Sequence, residues 1–488
     1  MYNEAAAYEL IQRGTLAPRT RIAKVLGEAG LILILCVGVL APSVTLNENW
    51  PQVRTETMLI VFVAMAYAAL LLTGLARPLR FHAFYLFGAL FSLCVGFSLI
   101  YGTVILGHPL SYRDYFEIPK CWLPVFFFTV AHEAELSERG LNRALDWFAG
   151  AITLVCLFGW AQFLTLGIAA RLTPLYTDLG HNYTALMRYG RIFSTMGNPN
   201  ALGQLMSWCM STYVLAFLFG VGSRARNLSI SVMCVMTVAL TSSRYGLLTC
   251  SGGLLIALMF GFMSRRRGWK LLSLLFLIGV LVAVFGEAQQ SSYWASHRFE
   301  QLKNPLQVDS LRGRLDVLWL EAGDYFLSSP WVGHGPAKTV FETVYTDSEY
   351  LDILKYYGLA GFVCYLAYFL WPLLEMSRGL RAARFLSQEL EDRLRANLLV
   401  LRAGFTIFCL ALFMNIGEFT FYNPALLGFI WLWAGLAVRA AQFVREVEAH
   451  ESITLVLEEE ELALREPVEG LHPELSGLGV APLQSESN

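Results

Sequence analysis

Residues 310–359, SLRGRLDVLWLEAGDYFLSSPWVGHGPAKTVFETVYTDSEYLDILKYYGL, hold the densest mix of charged and polar groups between the hydrophobic runs of this chain. Leu311, Leu315, Leu318, Trp319, Ala322 and Phe326 recur at helical spacing, which predicts an amphipathic helix over 310–328. Asp309 or Ser310 would cap its start, and Pro330 would stop it. Gly333, Gly335 and Pro336 then predict a turn. A second helix is expected to begin near Thr346 and continue into an apolar run. A polar platform joined to an apolar helix marks the place where chemistry is expected.

The rest of the chain is apolar around this platform. Of its 488 residues 56% are hydrophobic and 15% charged, against about a quarter charged in soluble domains. Repeated apolar runs of membrane-crossing length predict an all-α polytopic membrane protein, because backbone groups in lipid must be satisfied within the segment. About twelve spans are expected, at 27–45, 57–76, 81–106, 115–131, 147–169, 200–221, 227–243, 245–263, 269–287, 348–376, 397–416 and 424–445. Residues 1–26 read as a polar cytoplasmic segment with no cleavable signal, 27–445 as the membrane domain, and 446–488 as an acidic, partly disordered tail. No extended basic face is present, so nucleic acid is not an expected partner; the lipid bilayer is. The nine cysteines lie in or beside apolar runs without metal spacing, and neither metal ligands nor a cofactor are expected.

Orientation follows from Lys and Arg. With the N-terminus inside, the basic clusters from Arg13–Lys24 through Arg265–Arg267 to Arg439 and Arg445 all fall on the cytoplasmic side. Both termini are then cytoplasmic, and loops at about 170–199 and 288–347 lie outside. The few outer basic residues are exceptions to the rule that placed the rest, and so are candidates for function.

Arg191 is the first, in RYGRIFSTMGNPNALGQLM. Asn198 is a good N-cap and Pro199 suits the first helical position, so an arginine would stand beside a helix start. That is a ready anion site; contact with lipid head groups or a carboxylate is the alternative. Arg244, in TSSRYG, joins two apolar spans beside Ser242 and Ser243. It either snorkels to the interface or joins the hydroxyls in holding a phosphate. In TDSEYL, Thr346 and Glu349 have capping-box spacing, while Asp347 sits in the first turn where the helix dipole favours a carboxylate. Either carboxylate could instead serve as general base, with His334 the next candidate. Asp352 and Lys355 can pair along the helix.

The order RIFSTMGNPNALG, TSSRYG, RGRLDVLWL…SSPWVGHGP and TDSEYLDILKYYGLAGF resembles the O-antigen polymerase and O-antigen ligase superfamily over about 180–450. YRDYFEIPK at 112–120 is similar to a segment those proteins carry between their third and fourth helices. The resemblance implies a metal-independent, inverting glycosyltransferase at the outer face of the inner membrane, with an undecaprenyl pyrophosphate-linked glycan donor. It implies Arg191, Arg244 and Arg314 at the donor pyrophosphate, and Gly333 and Gly335 as the glycine turn. Asn198, Asn200, Ser243 and His334 are expected in support. Asp347 falls where the ligases carry a histidine in an HNxYL-like motif; Ser348 replaces the Asn, while Tyr350 and Leu351 are kept. An acidic residue there looks more like the polymerase branch, with Asp347 or Glu349 as base and Tyr350 as its orienting group.

The expected product is a surface polysaccharide: O-antigen, capsule or exopolysaccharide. The acceptor would be a second lipid-linked glycan, with a chain-length regulator and a flippase as partners. The alternatives are ligation to lipid A core and transfer to protein hydroxyls. An anionic-solute or lipid transporter is the reading from a different class. No internal repeat supports transport, and no GxxxxGK[ST] motif points to ATP chemistry.

Overall fold

The computed structural model describes residues 21–44, 53–72, 82–134, 136–177, 181–263, 279, 313, 317–341, 346–418, 420 and 423–465. Most of the apolar runs become helices, some with side-chain caps, as at Ser137 and Asn198. The first are α1 (Arg21–Leu40) and α2 (Thr55–Leu72), joined through β1 (Ser43–Val44) and β2 (Val53–Arg54). The two short strands pair antiparallel, Ser43 with Arg54 and Val44 with Val53, a small exception to the all-α expectation. Then come α3 (Ala83–Val104), the single turn α4 (Tyr112–Tyr115), α5 (Glu117–Glu133) and α6 (Glu138–Phe163). The first expected outer loop folds into α7 (Gly167–Leu172), α8 (His181–Tyr189) and two 3-10 turns, Thr173–Leu175 and Ser194–Met196. After it run α9 (Pro199–Phe219), α10 (Arg224–Thr241) and α11 (Arg244–Met263). The chain closes with α12 (Trp319–Ser328), α13 (Glu349–Ala382), α14 (Gln388–Arg393), α15 (Arg395–Met414) and α16 (Pro424–Arg465).

Seven described helices are long and apolar enough to cross a membrane: α3, α6, α9, α11, α13, α15 and residues Leu426–Ser452 of α16. The expectation of twelve is not reached among the described residues. The runs expected at 27–45, 57–76, 115–131 and 227–243 form α1, α2, α5 and α10, which are not among the seven. The run at 269–287 lies outside the described residues except for Gly279.

The core centres on α9, nearly every residue of which is buried from Ala201 to Leu218. It packs against α10, α11 and α15. Small residues let α11 approach closely: a Cβ added at Gly246 would lie 2.9 Å from the Gly203 Cα. One turn along, the Ser207 hydroxyl donates to Gly246 O at 2.8 Å. A second layer forms where α13 packs on α3 and α16, and α16 on α5 and α15. Phe84, Tyr368 and Trp431 stack there in its buried centre.

This packing gathers one set of helix ends: the starts of α9, α13 and α16 and the ends of α3, α10 and α15. The predicted amphipathic helix is described from Trp319, with Ala322 buried and Leu320 and Leu327 exposed; its expected start at 310–316 lies outside the described residues except for Gly313.

Candidate functional site

The long helix α13 breaks at Gly358, whose φ of 62° and ψ of −168° belong to a region that only glycine occupies readily. A break inside a helix frees carbonyls below it and N–H groups above it, and buried ones must find partners. The segment PWVGHGP supplies them. His334 N donates to Lys355 O at 3.1 Å and Gly335 N to Tyr356 O at 2.8 Å. In return Pro330 O accepts from Leu359 N at 2.8 Å and Trp331 O from Ala360 N at 3.2 Å. Gly333 and Gly335 have φ of +75° and +74°, and a Cβ on Gly333 would run into the Tyr356 carbonyl. The expected glycine turn is therefore a plug for the break in α13.

The plug is also fixed from the side. The Ser98 hydroxyl donates to Tyr356 O at 2.5 Å and accepts from Gly335 N at 3.0 Å. Asp114, in the YRDYFEIPK segment, accepts from Lys338 N at 2.9 Å, and Lys338 Nζ lies 3.2 Å from Glu117. Asp352 and Lys355 form the predicted ion pair at 2.8 Å, with Lys355 fully buried over the Phe341 and Tyr356 rings. His334 Nε2 faces the Tyr325 carbonyl at 2.9 Å, so that nitrogen carries the proton and Nδ1 accepts from His108 at 3.3 Å. Burial holds both imidazoles below the usual histidine range; for His334 the facing His108 adds to the shift.

Arg191 lies on the other flank of this end. Its Nε donates to Thr241 O at 3.1 Å and its Nη2 to Asn200 Oδ1 at 3.3 Å. Asn200 passes the contact on, Nδ2 donating to Glu418 at 2.7 Å. Arg191 therefore touches the α10–α11 junction, which runs from Thr241 through the left-handed Ser242 (φ 49°) to Arg244. Ser243 accepts from Gly246 N at 3.1 Å and so caps α11. Asn198 caps α9 as its position predicts, but this alters the anion reading. Its Oδ1 accepts from Asn200 N at 2.7 Å and Ala201 N at 3.3 Å, so two of the helix-start N–H groups are already taken. Any anion here must rely on the arginines.

The start of α13 differs from the expectation. Ser348, not Thr346, is the N-cap, accepting from Leu351 N at 3.5 Å. Thr346 instead donates to Asp352 at 2.7 Å. Glu349 does not form the predicted capping box. It is fully buried and accepts from the Tyr365 hydroxyl and from Thr420 N, each at 2.6 Å. Its own N–H donates to Asn415 O at 3.0 Å, and Asn415 Nδ2 donates to the Tyr365 oxygen at 2.9 Å. Tyr350 donates to Leu412 O at 2.6 Å, so its hydroxyl anchors α15. Asp347 is half-buried and lies just before the N-cap Ser348, not in the first turn as expected. Arg314 lies outside the described residues.

One short segment thus joins both flanks: Glu418 reaches Asn200 and through it Arg191, while Asn415 and Thr420 reach Glu349 and Tyr365. Sequence reading gave these residues no role, although NIGEFTFYN stands out as a polar patch between two apolar runs. Lys338, Asp114, Glu117 and His108 were missed as well. What the arrangement offers is guanidinium groups on one flank and a carboxylate at a helix start on the other, held at one end of the bundle.

No curated protein gives a significant match to the chain. A family model described as O-antigen ligase matches residues 229–366, which run from α10 through the α10–α11 junction, α12 and the plug to the first half of α13. That family consists of glycosyltransferase-like enzymes of surface-glycan assembly. Over this segment the chain is similar to the O-antigen ligase family.

Proposed function

We propose that this end of the bundle is the active site of a polymerase. It would transfer glycan units from an undecaprenyl pyrophosphate donor to a sugar hydroxyl of a second lipid-linked glycan. The observation that carries the reading is the convergence of Arg191, the Thr241–Arg244 junction and the start of α13 on residues 415–420. In the reaction the acceptor hydroxyl oxygen attacks the anomeric carbon from the face opposite the pyrophosphate. The carbon–oxygen bond to the pyrophosphate breaks, its electron pair leaves with the phosphate, and the configuration inverts. Arg191 and Arg244, with Arg314 as a third, neutralise the charge that grows on the leaving group. Asp347 takes the hydroxyl proton as the bond forms.

Asp347 is preferred to Glu349 because Glu349 has a structural task. Its oxygens hold the buried Tyr365 within α13 and the buried Thr420 N–H, joining α13 to the segment beyond α15. The aspartate, where the ligases carry a histidine, supports polymerisation over ligation. The active end would face the periplasm from the inner membrane, with both termini cytoplasmic. Single cysteines at Ser292 and Ser487 should then label from opposite sides.

Purified protein given a defined polyprenyl pyrophosphate-linked glycan tests the function. Elongated lipid-linked chains and free polyprenyl pyrophosphate are expected. Transfer only when lipid A core is supplied would make it a ligase, the activity named by the matching family. No consumption of donor with either acceptor would refute glycosyl transfer.

A further inference from the structure

At the opposite end of the bundle, His82, His132 and Glu133 bring one ligand atom each to within 4.8 Å of one another. His82 is the N-cap of α3, and the other two residues close α5. They lie fifty positions apart in the chain, so no sequence spacing reveals them. The packing of α3 on α5 brings them together, and Gly435 lets α16, which carries Gln442, lie directly on the α5 backbone, where a Cβ would collide with the Phe128 carbonyl.

The hydrogen bonding around His132 is what suggests a ligand. This ring is buried and stacked on Phe128, with 14° between the planes. Its Nε2 lies 3.1 Å from the Gln442 side-chain oxygen, the arrangement of an Nε2–H donating to Gln442. Nδ1 then carries a lone pair, and it faces Glu133 Oε1 at 3.1 Å. In that tautomer the lone pair and the carboxylate oxygen need a cation between or beside them, a proton or a metal ion. For bonds of about 2.0–2.2 Å, adjacent ligand atoms of a tetrahedral zinc ion lie roughly 3.3 Å apart, close to this separation. A ligating histidine characteristically donates its other N–H to a carbonyl or carboxylate, the place Gln442 holds here. The third donor, His82, has its ring centroid 4.5 Å from that of His132.

We propose that His82, His132 and Glu133 bind a divalent transition metal of the zinc class, with Gln442 orienting His132. Two imidazoles and one carboxylate select zinc, cobalt or nickel over magnesium or calcium, which prefer oxygen ligands. The ion ties the start of α3 to the end of α5, and through Gln442 to α16. It plays no part in the transfer proposed at the other end.

The test uses the full-length chain, purified in detergent through a histidine-free tag, stripped with chelator and titrated with Co²⁺. One equivalent should bind with visible absorption typical of tetrahedral coordination, and Zn²⁺ but not Mg²⁺ should displace it. His82→Ala and His132→Ala should abolish the spectrum, while Gln442→Ala should weaken binding by about 10–100-fold. Elution volume and thermal unfolding show whether each variant is folded; His82, outside the helices it caps, is the variant expected to fold best. The alternative arrangement places the Gln442 amide nitrogen on Nε2 and a proton on Nδ1, and needs no metal. Failure of the wild-type protein to bind Co²⁺, or the same spectrum in a folded His82→Ala variant, would overturn the proposal.

Discussion

Where α6 begins and α13 ends, carboxylates meet guanidinium groups directly. Glu28 pairs with Arg143 at 3.0 Å, Asp146 with Arg226, Glu375 with Arg445 at 2.7 Å and Glu391 with Arg402 at 3.3 Å. Where α13 begins, Arg191 meets a backbone carbonyl and an amide, and Glu349 meets a tyrosine and a backbone N–H. Direct pairs occur there too, Asp352 with Lys355 and Glu117 with Lys338, but they serve the plug. A guanidinium matched to a carboxylate is neutralised and mainly joins helices. In the proposed function the arginines at the α13 end serve a substrate, whereas those at the opposite end join helices.

The largest expected effect comes from removing the arginines proposed at the donor pyrophosphate. Arg191→Ala or Arg244→Ala should lower transfer by about 10²–10³-fold, as loss of a single transition-state donor does in other enzymes. Lys should restore it only in part, because a point charge cannot reproduce bidentate phosphate contact. By contrast, Arg143→Ala at the opposite end should leave transfer within about twofold of wild type, since an exposed ion pair contributes little. Equal losses at both ends, measured as donor consumed per folded protein, would erase the distinction.

The plug supplies the next effect, on folding. Gly358→Ala places a Cβ 2.5 Å from the Trp331 carbonyl, on a backbone that disfavours any side chain. A cost of about 1–3 kcal/mol from the backbone alone is expected, plus the clash. It should appear as a lower thermal unfolding temperature in detergent, and wild-type stability would remove the plug from the account. Glu349→Gln should cost about 1–3 kcal/mol, because its two buried donors would share a weaker acceptor. Transfer per folded molecule should largely survive. A stable but inactive Glu349→Gln protein would give Glu349 the role assigned to Asp347.

The smallest effect is pH-dependent. His334 and His108 titrate below the ordinary histidine value in the folded protein. The unfolded chain therefore binds more protons over that interval, and their contribution to stability is lost as pH falls below about 6.5. Protonation also turns His334 Nδ1 from an acceptor into a donor facing His108. Hydrogen exchange in residues 329–341 should quicken on acidification, and His334→Gln should remove most of that dependence. The same change in exchange at the α6 start would mean general acid loosening instead.

Seven of the twelve expected spans were legible because hydrophobicity and length decide them locally. Asn198, Pro199 and the Asp352–Lys355 pair were legible because their partners lie within one turn. Glu349 was misread for the same reason. A capping box is a local pattern, whereas its true partner, Thr420, lies 71 residues away. The pairing of Asn200 with Glu418 spans 218 residues, and the plug joins residues some 20–30 apart through backbone groups that carry no sequence signature. Gly358 looked like any glycine in an apolar run until the carbonyls it frees were traced to His334 and Gly335.

Asp347→Asn is the most direct test of the central claim, measured as polymer formed from polyprenyl pyrophosphate-linked glycan alongside thermal unfolding of the same sample. Asn keeps the shape and polarity of the side chain and removes only its ability to accept a proton from the sugar. The account predicts an unfolding temperature within error of wild type, retained binding of the donor, and transfer reduced at least about a hundredfold, within the range for loss of a general base. Normal polymerisation by Asp347→Asn would contradict it and move the proton acceptor elsewhere on this end of the bundle.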